Sequence, residues 1–585
     1  MKLHKKLFRY FPNTLALFSR AIQPATVCYV LLISSFLHAQ VNYIDYPSPY
    51  HDVVGKGGMV VSQNKESSEL GLAILNAGGN AIDAAVGVGF SLAITLPRAG
   101  NLGGGGFMLA YMDGEVTAID YRGAASLSID SNNFQKLKTD SELRKYGYSA
   151  STTPGSVHGL LTAHQKWGKL KLKTIMKYVI DQAKSGIQVS YDLHQAIKSA
   201  PQLTHDPESR KIYFLANGDA LPEGYLMKRP DLAKTFSLIA RHGLDGFYKG
   251  KIADAFAASM QSNKGYLTLE DMSAYQSKVT NPLSTLYRNH TVYGHPAPSG
   301  GSFVVLGALN TLENFQLKDI DPISSQYIHL FSEALMRGHL DRSRYVGDPA
   351  FYNVPSQLLL SKERGKEHAN SITLDKKTNP ETLEPNWLGS EGENTTHFSI
   401  IDKDGNAVSN TYTLGYSFGS GVTIPGTGIL MNNQMNNFAY QVGNPDLVSR
   451  SVSPGNAFVP GKRPMSTMAP TMVFDENDRL SLITGSPGGS LIPAAVLRII
   501  LGVIDNDLSI GDASMLPRIH RDWPTDTLRL EKGFSSDTKL NLENLGYKLE
   551  ENKTMGSTQS ILIHDGMNYG YADLRRPNAG VAKQD

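Results

Sequence analysis

Two adjacent threonines, Thr395 and Thr396, stand directly before a predicted strand. A threonine hydroxyl is a weak nucleophile until a base removes its proton. If the chain were cut between Asn394 and Thr395, the new α-amine of Thr395 could be that base, because the pKa of a free α-amine is about 7.7–8.0. Threonine also favours strands, so the pair alone is more typical of an ordinary loop-to-strand junction.

A nucleophile of this kind needs donors for the charge that develops on the carbonyl oxygen. The segment "TGSPGGSLIPAAVL" places Gly488 and Gly489 between a predicted strand and a predicted helix, with Pro493 near the helix start. Backbone N–H groups of consecutive glycines, close to the positive end of a helix dipole, can point at one oxygen. The alternative interpretation is a strand–helix turn without chemistry.

Other polar and glycine-rich positions give weaker evidence of a function. Arg122 ends a predicted strand and is either a surface charge or a bidentate clamp for a carboxylate. The run Gly103 to Gly106 lacks the surroundings of a phosphate-binding loop, so we interpret it as close backbone packing. No cluster of His, Asp and Glu has metal-ligand spacing. We therefore expect no metal and no cofactor, and we expect His397 to be structural rather than a base.

The hydrophobic pattern indicates the elements that position these residues. Residues 62–94 predict two helices separated by Gly78 and Gly79, and Asp113-Gly114 predicts a hairpin turn. Residues 151–348 are mostly helical in pattern, residues 361–394 have the composition of a linker, and strands predominate afterwards. The pattern thus changes just before Thr395, where a strand-rich unit is expected to begin.

Length and composition set the outer bounds. The chain has 585 residues, 41% of them hydrophobic and 19% charged, which is typical of a globular protein with a large core. The net charge of +2 and the scattered basic residues argue against nucleic-acid binding. No stretch predicts a stable membrane span in the mature protein.

The first 39 residues have the layout of a secretory signal: basic residues, an apolar run from Thr26 to Leu37, and a small residue, Ala39, at the expected cleavage point. An uncleaved anchor is the alternative. The single cysteine, Cys28, lies in this segment, so the mature protein would contain no thiol and no disulfide. We therefore expect an exported protein, periplasmic or else secreted.

The sequence resembles the γ-glutamyltranspeptidase family of N-terminal-nucleophile hydrolases over most of residues 59–576. The segments that carry the resemblance, in the family's order, are "NAGGNAIDAAV", "AGNLGGGGFM", "APSGGS", "TTHFSIIDKDGNAVSNTYTL", "PGTGILMNNQM", "PGKRPMSTMAPT", "TGSPGGS" and "MGSTQS". The resemblance implies an α+β fold, the four-layer αββα sandwich. It also implies that the precursor cuts itself between Asn394 and Thr395, giving a large subunit, residues 40–394, and a small subunit, residues 395–585.

The resemblance further implies roles for individual residues. Thr395 is the expected nucleophile, and Thr413 the residue that hydrogen-bonds its amine or hydroxyl. Gly488 and Gly489 form the expected oxyanion hole. The expected substrate-binding residues are Arg122, Ser466 and Thr467, for an α-carboxylate, together with Gln434 and Asn437. The activity implied is γ-glutamyl hydrolysis or transfer from glutathione and related amides to water, amino acids or peptides.

Two positions depart from the family pattern. Gly415 stands where the family commonly has Asn, and Asn437 stands where an Asp would hold the substrate's α-ammonium group. Replacing a carboxylate by an amide removes a charge-assisted hydrogen bond, a change of about 1.4 kcal/mol or roughly tenfold in affinity. Two alternatives therefore stay open: a glutaryl-type acylase, similar to cephalosporin acylases, with the same mechanism, and an inactive relative that only binds peptides or γ-glutamyl compounds. The segment from Tyr440 to Val459 occupies the place of a lid loop but follows no pattern that predicts its closure.

Overall fold

A computed structural model describes residues 48–383, 394–440 and 453–585. The expected signal segment and Cys28 lie outside these residues, and so does most of the lid-loop segment. Among the described residues, no helix has the length and apolar character that crossing a membrane requires.

The structure alternates helices and strands along the chain. The strands are β1 (Val53–Gly55), β2 (Met59–Ser62), β3 (Gly105–Met112), β4 (Glu115–Asp120), β5 (Ile187–Gln188), β6 (Leu226–Met227), β7 (Lys278–Thr280), β8 (Leu283–Tyr287), β9 (His290–Gly294), β10 (Asn394–Ile401), β11 (Ala407–Gly415), β12 (Thr423–Ile424), β13 (Ile429–Leu430), β14 (Thr471–Phe474), β15 (Leu480–Thr484), β16 (Ile519–His520), β17 (Thr527–Glu531), β18 (Lys548–Asn552), β19 (Gln559–His564), β20 (Met567–Ala572) and β21 (Gly580–Lys583). The α-helices are α1 (Lys65–Asn76), α2 (Ala81–Thr95), α3 (Ser131–Thr139), α4 (Glu142–Lys145), α5 (Ser156–Trp167), α6 (Leu172–Ser185), α7 (Tyr191–Lys198), α8 (Pro207–Tyr213), α9 (Pro230–His242), α10 (Asp245–Tyr248), α11 (Gly250–Ser262), α12 (Leu269–Ala274), α13 (Gly300–Leu312), α14 (Ser325–Tyr345), α15 (Ser356–Leu359), α16 (Lys362–Asn370), α17 (Pro380–Leu383), α18 (Ile492–Ile504), α19 (Ile510–Met515) and α20 (Ser536–Asn544).

Two large antiparallel sheets form the centre of the protein. Sheet I has the strand order β21-β2-β10-β11-β3-β4-β7, and sheet II has the order β1-β20-β19-β15-β14-β9-β8. Their facing surfaces share a layer of apolar side chains that includes Val61, Leu109 and Ile401 from sheet I and Met472 and Ile483 from sheet II. The two sheets therefore pack face to face.

A helical layer covers the outer face of each sheet. Helices α1, α2, α5, α6 and α9 share one core with β3, β10 and β11. Helices α13, α14 and α18 share a second core with β9, β14 and β15 of sheet II. The layers thus follow the order helix, sheet, sheet, helix, and the expected αββα sandwich is confirmed.

Strand β10 shows how the sequence pattern produces this arrangement. Phe398 and Ile400 point to the helical layer, whereas Ser399 and Ile401 point to sheet II. The Ser399 hydroxyl donates to the Gln559 carbonyl oxygen at 2.8 Å, so a strand of sheet II satisfies this buried hydroxyl. The two-residue period of the strand from Thr396 onward therefore places every second residue, including His397, on the face between the sheets.

Most sequence-based element predictions are confirmed. The two helices around Gly78 and Gly79 are α1 and α2, and the Asp113-Gly114 turn joins β3 to β4 with positive φ at both residues. The glycine run is closely packed as expected: a Cβ at Gly105 would lie 2.5 Å from the Tyr121 carbonyl oxygen.

The linker interpretation of residues 361–394 is wrong where the structure describes them. Helices α16 and α17 form there, and α16 begins at an N-cap, Ser361, whose hydroxyl accepts from the Arg364 N–H. Arg364 also forms an ion pair with Asp341 of α14, at 2.6 Å. Capping and this tertiary pair therefore stabilise a helix that its low apolar content does not predict.

Candidate active site

One pocket opens where the ends of several strands converge. Its lining includes eight of the residues singled out from the sequence: Arg122, Thr395, Thr413, Gly415, Asn437, Ser466, Thr467 and Gly489. These residues lie far apart in the chain, and the two sheets and their connecting segments bring them to one place.

Thr395 lies near the start of β10, with 7% of its surface exposed. The pairing of β10 with β11 is regular from Thr396 onward, but Asn394 pairs with Gly415 and Thr396 with Tyr412. Two residues of β11, Thr413 and Leu414, therefore oppose Thr395 alone, which is the pattern of a β-bulge. Such a bulge changes the direction of the side chains beside it, here at the expected nucleophile.

Thr413 is held in place by its own strand end. Its hydroxyl oxygen accepts from the Gly415 N–H at 2.8 Å, and its carbonyl oxygen accepts from the Gln434 side-chain amide at 2.9 Å. On the other side, Thr413 pairs with Gly105 of β3. The hydroxyl thus lies beside Thr395 in a fixed orientation.

The glycine pair approaches from sheet II. Gly488 and Gly489 follow β15 and have φ values of 132° and 57°, a region that L-residues other than glycine rarely adopt. Gly489 begins a short 3-10 turn that leads into α18. Successive N–H groups in such a conformation form an anion-binding concavity at the positive end of the helix.

Arg122 supplies a buried positive charge. Its Nε donates to the Pro464 carbonyl oxygen at 3.2 Å, and its Nη2 donates to Asn437 Oδ1 at 2.9 Å. The nearby carboxylate, Asp120, forms an ion pair with Arg463 at 2.6 Å. The surface-charge interpretation of Arg122 is therefore wrong: the residue is only 1% exposed and lines the pocket.

Asn437 and Gln434 have different positions. Since Arg122 can only donate, the Asn437 side chain must accept with Oδ1, and its Nδ2 is the polar atom left for the pocket. Gln434 is fully buried and does not line the pocket. Its amide links Thr413 to Gly123, because its Oε1 accepts from the Gly123 N–H at 3.2 Å.

Sequence reasoning missed several lining residues: Arg342, Tyr416, Asn433, Asn436 and Met465. The polar run "NNQMNN", from Asn432 to Asn437, was a usable signal for two of them. Arg342 carried none, because helical spacing on α14 predicts the helix but not which way its last turn faces.

Because Gly415 has no side chain, the side chain of Asn433 can lie against it. A Cβ there would overlap the Asn433 side-chain oxygen, which accepts from the Tyr416 N–H at 2.9 Å. The pocket wall at this position is therefore made by the amide of Asn433.

The pocket has a positive character. Two arginines, Arg122 and Arg342, line it together with hydroxyl and amide side chains, and no described lining residue is an Asp or Glu. Among the described residues, no group of three or more His, Cys, Asp or Glu side chains could hold a metal ion. The arrangement therefore suits an anionic substrate.

His397 is buried between the sheets, where its Nδ1 lies 2.8 Å from the Thr411 hydroxyl and its Nε2 lies 3.0 Å from the Ser399 hydroxyl. Burial lowers the pKa of His397 to about 3. The ring is therefore neutral at physiological pH and both its nitrogens are occupied by structural contacts, as expected.

Comparisons with known proteins agree with this geometry. The family model of gamma-glutamyltranspeptidase matches residues 67–583. The glutathione hydrolase proenzyme of Escherichia coli (strain K12) is 40% identical over 541 residues, which are 92% of this chain and 93% of that protein.

Solved structures share the fold. Cephalosporin acylase from Bacillus halodurans superposes with a TM-score of 0.82 at 27% identity, over 93% of this chain and 99% of its own. Helicobacter pylori gamma-glutamyltranspeptidase gives a TM-score of 0.53 at 33% identity, over 57% of this chain and 95% of the matched chain. On the strength of the family model and of the relative from E. coli, the chain belongs to the gamma-glutamyltranspeptidase family.

Proposed function

We propose that this protein is a self-processing γ-glutamyl hydrolase or transpeptidase with Thr395 as its nucleophile. In the precursor, the Thr395 hydroxyl attacks the Asn394 carbonyl carbon, the peptide C–N bond breaks, and water hydrolyses the resulting ester. The products are a new carboxylate on Asn394 and a free α-amine on Thr395. The large subunit would be residues 40–394 and the small subunit residues 395–585.

The mature enzyme repeats this chemistry on a γ-glutamyl amide. The Thr395 amine takes the hydroxyl proton, the oxygen attacks the γ-carbonyl carbon, and the leaving amine departs with a proton. N–H groups of Gly488 and Gly489 donate to the oxyanion, and Thr413 orients the nucleophile. Water or the amine of an amino acid or peptide then attacks the γ-glutamyl ester and regenerates Thr395.

A relative's name supports the proposed substrate class, and the N-terminal sequence supports the proposed location. The E. coli protein is named a glutathione hydrolase proenzyme, which supports glutathione as a donor and self-cleavage as the maturation step. The donor's α-carboxylate would be held by the guanidinium of Arg122 and the hydroxyls of Ser466 and Thr467, because all three residues line the pocket. The signal-like first 39 residues favour export, most simply to a periplasm.

The observation that carries the proposal is the meeting of Thr395, Thr413 and Gly489 in one pocket beside Arg122. Intact-mass measurement of the purified protein tests it. We expect two polypeptides that separate at Asn394–Thr395, and a single uncut chain for Thr395→Ala, without activity on γ-glutamyl 4-nitroanilide. Active wild-type protein with an intact 394–395 bond would falsify the mechanism. Uncut wild-type protein without activity would favour the binding-only alternative.

A second candidate is the glutaryl-type acylase. The observation that favours it is the pairing of Asn437 Oδ1 with Arg122, which leaves an N–H donor rather than a carboxylate facing the pocket. An N–H donor cannot accept a hydrogen bond from an ammonium group. An acyl group without an amine would therefore lose less binding free energy at this position than a γ-glutamyl group. The mechanism at Thr395 would be unchanged.

Asn437→Asp distinguishes the two candidates. A carboxylate at this position accepts a charge-assisted hydrogen bond from an α-ammonium group, so we expect the ratio of kcat/KM for γ-glutamyl over glutaryl 4-nitroanilide to rise about tenfold. The measurement compares both donors on wild type and variant. A strong preference of wild type for the γ-glutamyl donor, unchanged in the variant, would exclude the acylase.

A further inference from the structure

The turn that precedes α13 supports one wall of the pocket. The Gly300 N–H donates to the Ser466 carbonyl oxygen at 2.6 Å, and the Ser466 N–H donates to the Pro298 carbonyl oxygen at 3.0 Å. The Ser299 hydroxyl donates to the Met468 carbonyl oxygen at 2.6 Å. Residues 298–301, which we name the support turn, thus bind the backbone of residues 466–468 at three points.

Gly301 allows this contact to be close. A Cβ at Gly301 would overlap the Thr467 carbonyl oxygen, and it would lie 2.6 Å from the Thr467 carbonyl carbon and 2.8 Å from the Met468 carbonyl oxygen. All three are backbone atoms, which cannot rotate away as a side-chain end could. Any larger residue at Gly301 must therefore displace the segment that carries Thr467.

Gly300 is also in close contact with residues that line the pocket. A Cβ there would lie 2.9 Å from Arg342 Cγ, 3.0 Å from Arg342 Nε and 3.0 Å from the Ser466 carbonyl oxygen. Both Arg342 and Ser466 line the pocket. The support turn therefore fixes the spacing between a cation on α14 and the hydroxyls at Ser466 and Thr467.

We infer that Gly300 and Gly301 are positioning residues for the substrate's carboxylate: they touch no substrate, but they set where Ser466 and Thr467 meet it. This inference rests on the proposed function, in which those hydroxyls hold the carboxylate of the acyl donor. Displacing a hydroxyl by several tenths of an ångström weakens its hydrogen bond steeply. The turn thus determines affinity for donors with a carboxylate and leaves the chemistry at Thr395 unaffected.

The test compares Gly301→Ala with Gly307→Ala in the same helix, where a Cβ meets nothing within 4 Å. Each processed variant is assayed on two matched pairs, γ-glutamyl against 4-aminobutyryl 4-nitroanilide and glutaryl against butyryl 4-nitroanilide. The members of each pair differ only by the carboxylate. For Gly301→Ala we expect KM of the donor with the carboxylate to rise about tenfold, with kcat and the other donor changed less than about twofold. Gly307→Ala is expected to match wild type.

Equal losses on both members of a pair would overturn the inference, because a merely structural role affects every donor alike. If Gly301→Ala is insoluble or stays uncut, Ser299→Ala replaces it, since this change removes the hydrogen bonds of the Ser299 hydroxyl to the Met468 carbonyl oxygen and to the Ser302 hydroxyl and adds no atom to the support turn. We then expect a selective rise in KM of about threefold, and an unchanged KM overturns the inference. Wild-type protein that cleaves none of the four donors would overturn the proposed function itself.

Discussion

At the residue scale, the pocket shows which side chains can do chemistry and which cannot. Thr395 and His397 lie two residues apart on β10, yet their surroundings differ. Thr395 lines a pocket together with Gly489 and the guanidinium groups of two arginines. His397 is enclosed by Thr411, Ser399 and Gly485: its two hydrogen bonds lie within sheet I, and the backbone that follows β15 packs against its ring.

The low pKa of His397 has a consequence for stability. An unfolded histidine has a pKa of about 6.5. As the pH falls, the unfolded state therefore binds the proton first. The contribution of neutral His397 to the free energy of unfolding is complete above about pH 6.5 and is lost progressively as the pH falls toward the folded pKa of about 3. At about pH 5.5, one unit below the unfolded value, the loss is about 1.4 kcal/mol.

We expect His397→Asn to be less stable than its parent at pH 8 but to lose less stability between pH 6.5 and 4. Urea unfolding in a Thr395→Ala background measures this on a single polypeptide. His564→Asn, at the exposed end of the β19–β20 hairpin, is the matched control. Parallel pH curves for parent and His397→Asn would contradict a neutral, buried ring.

At the element scale, sequence patterns predicted those elements whose signals are local. The Asp113-Gly114 turn and the helices α1, α2 and α18 follow from turn residues and apolar spacing. The β8–β9 hairpin was not predicted, because its turn consists of Arg288 and Asn289, which adopt positive φ without the usual glycine. Pocket residues on the end of a long helix, such as Arg342, depend on packing between elements and carry no local signal.

Helix α16 illustrates stabilisation that composition does not reveal. Burial alone would raise the pKa of Asp341, but hydrogen bonds from His368 and Arg364 outweigh it and lower that pKa. Asp341 is therefore a buried carboxylate that depends on partners supplied by α16. The helix and the carboxylate on α14 stabilise each other.

Arg364→Ala should therefore destabilise the protein. Removing one partner of a mostly buried pair leaves a poorly compensated charge, and partial exposure of Arg364 reduces the loss to about 2 kcal/mol. Urea unfolding in the Thr395→Ala background measures it. Arg479→Ala, in a solvent-exposed pair with Asp475, is the control and should leave the midpoint almost unchanged. Equal small effects in both variants would show that α16 does not depend on the pair.

At the scale of the whole molecule, the expected cut would divide both large sheets between two polypeptides. Sheet I contains β2, β3, β4 and β7 from before Thr395 and β10, β11 and β21 from after it. Strand β10 pairs with β2, and β11 pairs with β3, with every neighbour antiparallel. The composition change before Thr395 therefore does not separate one sheet from the other, because the two expected subunits each contribute strands to both sheets.

We expect the processed protein to behave as one particle. Size-exclusion chromatography should give a single heterodimer, whereas denaturing electrophoresis should give two bands, because separating the subunits would expose the hydrogen-bonding edges of β2, β3, β10 and β11. Electrophoresis without denaturant is the control, and it should give a single band. Elution of two separate species from a native column would contradict the shared sheet.

The alternation of the two segments within sheet I also fixes an order of events during biogenesis. Neither half has a complete sheet on its own, so we expect the fold to assemble while the polypeptide is still continuous and the cut to follow. Two halves produced from separate genes would each present unsatisfied strand edges, which favours aggregation. The expected cleavage would therefore show that assembly has already taken place, and it cannot be reversed.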